Sequence, residues 1–178
     1  MKIFIVVDMQ NDFLRGTLPV KEAVPLIPEM VSLIEKRMSE KDTKVIFTRD
    51  THQKNYLQTQ EGKNLPVEHC IEGTWGHETT DEFLPFQKNA IVIDKPTFGS
   101  LDLPDVVRDL VKKHGKELEE IEMIGICSDI CLINNAVILK AHFPEVKITI
   151  VEKLTAGITP ETHEAALKVM KSFQINMV

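Results

Sequence analysis

Short runs of apolar, often β-branched residues alternate along this chain with segments whose apolar side chains recur every three or four positions. The first run is Ile3 to Val7. Glu22 to Met38 then sets Leu26, Ile27, Met30, Leu33, Ile34 and Met38 at helical spacing. Further strands are predicted at Lys44 to Thr48, Ala90 to Asp94, Glu120 to Ile126, Val146 to Val151 and, briefly, Gln174 to Val178. Helices are predicted from Leu103 to His114, with Gly115 as the stop, from about Asp129 to Ala141 and from about Pro160 to Phe173. Near-continuous apolar strands alternating with helices imply an α/β fold whose parallel sheet is covered on both faces. Residues 1–178 fit one domain. The polar, irregular stretch of about 49–88 reads as an insertion, and a long loop inside a compact domain is usually functional.

In open α/β sheets, ligands bind beyond the carboxyl ends of the strands. The first strand ends in Asp8, the second in Thr48-Arg49-Asp50-Thr51-His52, the third in Asp94-Lys95 and the fourth in Gly125-Ile126-Cys127-Ser128-Asp129-Ile130-Cys131. An acid, a lysine, a thiol and an Asp-x-His pair therefore converge on one edge. Cys131 falls in the first turn of the following helix, with Ser128 or Asp129 as the expected cap. The helix dipole there favours a thiolate, and free backbone N–H groups can hold an oxyanion. A nearby lysine lowers the thiol pKa further, and an acid can shuttle its proton. The commoner role of a free cysteine is that of a small buried apolar residue. Asp8 and Lys95 have ordinary alternatives too, as strand-end and turn residues.

Asp50 and His52 occupy alternate positions of an extended segment and so face one side. Glu61 and His69 follow in the same loop. This donor set suits zinc, manganese or iron, although the spacing matches no standard zinc signature. His77 and Asp81 are looser alternatives, and His114, His142 and His163 read as surface residues of helices.

Charge and cysteine content narrow the partners. The net charge of −6 and the lack of a long basic cluster argue against nucleic acid. The first apolar run is too short for a secretory signal, and no stretch approaches the roughly 20 apolar residues that span a bilayer. Three cysteines, Cys70, Cys127 and Cys131, suggest no disulfide framework, so a cytoplasmic protein is expected. A small-molecule substrate is the expected partner, and a homo-oligomer stays open.

Three segments carry a family resemblance. Val7-Asp8-Met9-Gln10-Asn11-Asp12-Phe13 resembles the first motif of the isochorismatase-like cysteine hydrolases. Asp94-Lys95-Pro96-Thr97-Phe98-Gly99-Ser100 resembles their lysine motif, and Gly125 to Cys131 their nucleophile motif. The resemblance implies a three-layer α/β/α fold with a six-stranded, mostly parallel sheet in the order 3-2-1-4-5-6. It implies catalysis by Asp8, Lys95 and Cys131, an oxyanion held by the backbone N–H groups of Cys127 and Cys131, and a cis peptide at Ile126–Cys127. Asp50-x-His52 and His69-Cys70-Ile71-Glu72-Gly73-Thr74 look like the nicotinamidase branch, which binds a metal through an aspartate and histidines. That carries over Asp50, His52 and His69, with Glu61 placed as a fourth ligand and zinc as the first candidate ion. Phe13 is implied as a ring contact. Many members carry Trp-Pro-x-His-Cys, where this chain reads Leu65-Pro66-Val67-Glu68-His69-Cys70, and Trp75 lies beyond the histidine. The activity implied is hydrolysis of a small amide through a thioester, nicotinamide first. Another amide, a ureido or carbamoyl compound, or non-catalytic ligand binding remain as alternatives. A Cys127–Cys131 redox pair lacks the Cys-x-x-Cys spacing.

Overall fold

The computed structural model describes residues 1–178. Its sheet contains β1 (Lys2–Val7), β2 (Thr43–Asp50), β3 (Ile91–Lys95), β4 (Glu120–Ile126), β5 (Lys147–Ala156) and β6 (Asn176–Met177). Every pairing is parallel, and the spatial order is β3-β2-β1-β4-β5-β6. The main helices are α1 (Ile27–Ser39), α2 (Leu103–His114), α3 (Ile133–His142) and α4 (Pro160–Ser172).

The period of two along β1 explains the layers. Ile3, Ile5 and Val7 enter a cluster with Leu103, Val107, Leu132, Leu139, Leu167 and Met170, which covers one face with α2, α3 and α4. Phe4 and Val6 enter a second cluster with Ile27, Met30 and Ile34 of α1 on the other face. Truncating a fully buried residue such as Ile5 to alanine would cost about 2–5 kcal/mol. The chain runs outward from β1 to β3 and returns to β4, so the strand order reverses between β1 and β4. Gly125 pairs with Val7 at that point with φ +114°, and a Cβ on it would fall 2.2 Å from the Val7 carbonyl oxygen. Only glycine meets both conditions.

Helix ends follow local chemistry. Gly115 ends α2 in the left-handed conformation, with its N–H bonded back to Val111 and Lys112 carbonyls. Thr159 caps α4 through Thr162, with Pro160 in the first turn. Two expectations change. The segment predicted as one helix from Glu22 is a 3-10 turn over Lys21–Leu26 before α1 begins. Pro25 lacks an N–H, whereas Pro28 sits where a missing N–H is tolerated. The helix after β4 also opens as a π-helical stretch, Ser128–Leu132, before α3. Its N-cap position is Cys127, and neither Ser128 nor Asp129 caps it: Ser128 Oγ meets His163 Nδ1 at 2.8 Å, while Asp129 accepts the Ile158 N–H.

Candidate active site

The carboxyl ends of β1, β3 and β4 bring Asp8, Lys95 and Cys131 together. Asp8 leaves β1 in the left-handed region, at φ +51°, which turns its side chain off the strand path. Its Oδ1 accepts a hydrogen bond from Thr48 Oγ1 at 2.7 Å. Its Oδ2 lies 2.7 Å from Lys95 Nζ. The same ammonium donates to Cys131 Sγ at 3.4 Å and to Asp50 Oδ1 at 3.3 Å. Asp8 and Lys95 are inaccessible to solvent along their side chains. Two uncompensated buried charges would be very costly, so the pair stands because each neutralises the other.

Burial and charge act against each other at these three groups. Burial, reinforced by the Asp8 carboxylate, pushes the Cys131 thiol well above its usual range, and Lys95 offsets only part of that. The shift favours the protonated sulfur. Burial also raises Asp8 above ordinary carboxylates, against the pull of Lys95. Lys95 is itself held charged: burial opposes it, but Asp8 and Cys131 raise it well above a free lysine. Asn135 fixes the Cys131 turn from behind, donating to the Cys131 carbonyl at 2.9 Å and accepting from Ser100 N–H at 2.9 Å. The Ile126–Cys127 peptide is cis, as the resemblance implied.

Asp50, His52 and His69 form a second cluster whose ligating atoms lie within 4.8 Å of one another. Asp50 Oδ2 is 3.0 Å from His52 Nε2 and 3.5 Å from His69 Nε2. Glu61 Oε1 lies 3.4 and 3.7 Å from the same two nitrogens, although Glu61 falls outside the tight three-residue group. It sits at the outer rim, with 21% of its side chain exposed. His69 Nδ1 meets the Val67 carbonyl at 2.8 Å, which turns Nε2 toward the cluster. His52 Nε2 is buried without a well-aligned hydrogen bond despite its closeness to Asp50. Burial depresses the His52 imidazole, but Asp50 and Glu61 raise it to about 9. An orphaned ring nitrogen, a second aimed imidazole and a field favouring positive charge fit a divalent cation.

A cavity of about 300 Å³ joins the two clusters. Asp50, Glu61, His69, Cys127 and Cys131 line its polar side. Phe13, Leu18, Leu65, Phe98, Ile130 and Ile158 supply apolar walls. The Phe13 ring stands 5.7 Å from that of His69. Leu65 occupies the wall, whereas Trp75 is 57% exposed and is not among the lining residues. A larger depression of about 570 Å³, bordered by Glu22, Thr155 and His163, contains none of the two clusters' residues.

Sequence reasoning overlooked several contributors. His163, read as a surface residue, is half-buried against Ser128 in the turn that carries Cys131. A Cβ on Gly157 would meet both of them at 3.0 Å. His77 is buried beside Thr51, 2.9 Å from its hydroxyl, and joins no ligand cluster. Asp81, His114 and His142 are exposed. Gln10 is wholly buried on the Asp50 backbone. Its position two residues after Asp8 in the first motif was the available signal.

Comparison with known proteins adds relatives of the same build. Residues 2–177 match the Isochorismatase domain family. The nicotinamidase of Saccharomyces cerevisiae is 25% identical, over 100% of this chain and 99% of its own length. The pyrazinamidase of Pyrococcus horikoshii, solved in complex with zinc, is 28% identical with a TM-score of 0.80, covering 99% of this chain and 98% of that one. The nicotinamidase/pyrazinamidase PncA of Bacillus subtilis is 27% identical with a TM-score of 0.83, at the same coverage.

Proposed function

The chain belongs to the isochorismatase domain family, and from that premise we propose that it is a cysteine amidohydrolase converting nicotinamide to nicotinate and ammonia. One observation carries this reading: Cys131 and the Asp50–Glu61–His69 donor set line the same largely apolar cavity. Nicotinamidase and pyrazinamidase relatives support it. The whole chain acts as one hydrolase domain, with residues of about 49–88 serving as its metal and substrate loop.

Asp8 takes the proton of the Cys131 thiol, and the sulfur attacks the carboxamide carbon. Lys95 balances the charges on both groups throughout. The oxyanion receives the backbone N–H groups of Cys127 and Cys131. The tetrahedral adduct collapses as Asp8 returns the proton to the leaving nitrogen, releasing ammonia and leaving a thioester on Cys131. A water that gives its proton to Asp8 then attacks the thioester, and the acid departs as the thiol is restored. Phe13 packs against the ring. Asp50, His52, His69 and Glu61 would hold one divalent ion, zinc first, which when bound supplies a Lewis-acid anchor for the pyridine nitrogen and so orients the ring. No helix is long and apolar enough to cross a membrane. The three free, buried cysteines accord with a reducing compartment, and a cytoplasmic location is part of this reading.

Ammonia release from nicotinamide, pyrazinamide, benzamide and simple ureido compounds tests the assignment. Nicotinamide is expected to lead, with benzamide far behind because it lacks the ring nitrogen. Turnover of ureido or carbamoyl compounds with none of nicotinamide would replace this reading with the related hydrolase.

A further inference from the structure

The four candidate ligands come from the end of β2 and from separate stretches of the loop that follows it, so something must hold those segments in place. We propose that Gln10 and Asp12 are positioning residues that keep the two main ligand segments in register before an ion binds, an inference that rests on the metal assignment above.

Gln10 addresses the first segment. Its Oε1 accepts the Asp50 N–H at 2.7 Å, and its Nε2 donates to the Asp50 carbonyl at 2.8 Å. The same amide nitrogen donates to the His77 carbonyl at 2.9 Å. A carboxamide can accept and donate at once, so the backbone of Asp50 is gripped on both sides. Only the carboxylate is left to turn between Lys95 and the imidazoles.

Asp12 addresses the second segment. Its Oδ2 accepts the Cys70 N–H at 2.7 Å, and its Oδ1 accepts the Thr17 N–H at 3.1 Å. Cys70 follows His69 directly and has φ +47°, a conformation that non-glycine residues seldom adopt. A charge-assisted hydrogen bond at that N–H stabilises it. Two glycines make room for the carboxylate: a Cβ on Gly16 would fall 2.2 Å from Oδ1, and one on Gly76 2.0 Å from Oδ2. The two ligand segments also bond to each other, through His52 N–H to Cys70 O at 2.9 Å and Glu72 N–H to His52 O at 2.8 Å. Neither Gln10 nor Asp12 lines the cavity. They act on ligand geometry, as groups behind metal ligands commonly do, with effects of about 10–100-fold on affinity.

The test is equilibrium Zn²⁺ binding to metal-stripped protein, read by competition with a chromophoric chelator. Gln10→Met removes all three amide bonds at similar size, Asp12→Asn places a donor against one N–H, and Gly76→Ala displaces the Asp12 carboxylate without altering it. Each folded variant should bind Zn²⁺ about 10–100-fold more weakly than the parent protein. If one variant does not fold, the other two carry the measurement. A role in packing alone would lower the melting temperature of the metal-free variants and leave the Kd for Zn²⁺ unchanged, and that outcome overturns the proposal. A parent protein that binds no Zn²⁺, Mn²⁺ or Fe²⁺ overturns the metal assignment and this inference together, whereas tight binding by parent and variants alike overturns this inference alone.

Discussion

At the amino ends of β1, β4 and β5, Glu120 lies between Lys2 at 2.8 Å and Lys147 at 2.9 Å, with the Thr149 hydroxyl bonded to it at 2.7 Å. At the carboxyl ends of β1, β2 and β3, Lys95 lies between Asp8 at 2.7 Å and Asp50 at 3.3 Å. The contacts are alike in type and in length. What differs is water. The two lysines around Glu120 are 46% and 55% exposed, whereas Lys95 is fully enclosed. In water, such pairs staple neighbouring strands at modest gain. Out of water, the same chemistry raises the thiol and the acid together and leaves a cation between them. Desolvation, more than the type of contact, separates the two edges.

Substitutions at the two ends should therefore diverge. Removing the sulfur by Cys131→Ala should lower kcat by about 10⁴-fold or more, since the remaining groups position a substrate without attacking it. Steady-state ammonia release, alongside a melt that stays cooperative, measures this. Lys95→Met should cost about 3–5 kcal/mol of stability by leaving Asp8 and Asp50 buried without their cation. It should also lower kcat by about 10²–10³-fold. Lys147→Met, its counterpart at the amino end, should cost under about 1 kcal/mol and leave kcat unchanged. Equal destabilisation of the two variants in urea titrations would remove the contrast between the two ends of the sheet.

Two smaller effects sharpen it. Zn²⁺ at 100-fold over its Kd should stabilise the metal-stripped protein by about 2.7 kcal/mol, seen as a rise in melting temperature that His69→Ala removes. At the amino end, burial alone would raise Glu120, but Lys147, Lys2 and Thr149 pull it down to about 2 from an ordinary 4.5. A folded-state pKa below the unfolded value stabilises fully above about pH 4.5, and that stability is lost as pH falls toward 2. The loss should be about 1–2 kcal/mol for a partly exposed group. Glu120→Gln should flatten that part of the stability curve, which chemical denaturation between pH 5 and pH 2 would reveal.

Much of this architecture was legible in the chain because it depends on neighbours in sequence. The bounds of α2 and β4 follow from periodicity and from Gly115. Alternation along Ile3 to Val7 requires two covered faces. The strand ends alone put Asp8, Asp50, Lys95 and Cys131 on one edge. Other features depend on contacts between distant residues, and pattern does not reach them. Position at a helix start argued for an activated thiolate, but burial and the neighbouring Asp8 push the Cys131 thiol up instead. Ser128 and Asp129 look like caps in sequence, yet the π-helical turn and the approach of α4 assign them to His163 and to the Ile158 N–H. Gln10 and Asp12 read as motif letters until the loops they hold are folded over them. Sequence thus determined which chemistry-bearing groups reach the carboxyl edge, because that follows from period and chain order. Only the tertiary structure decided which of them lose water and what each then touches, and those two facts set their charge.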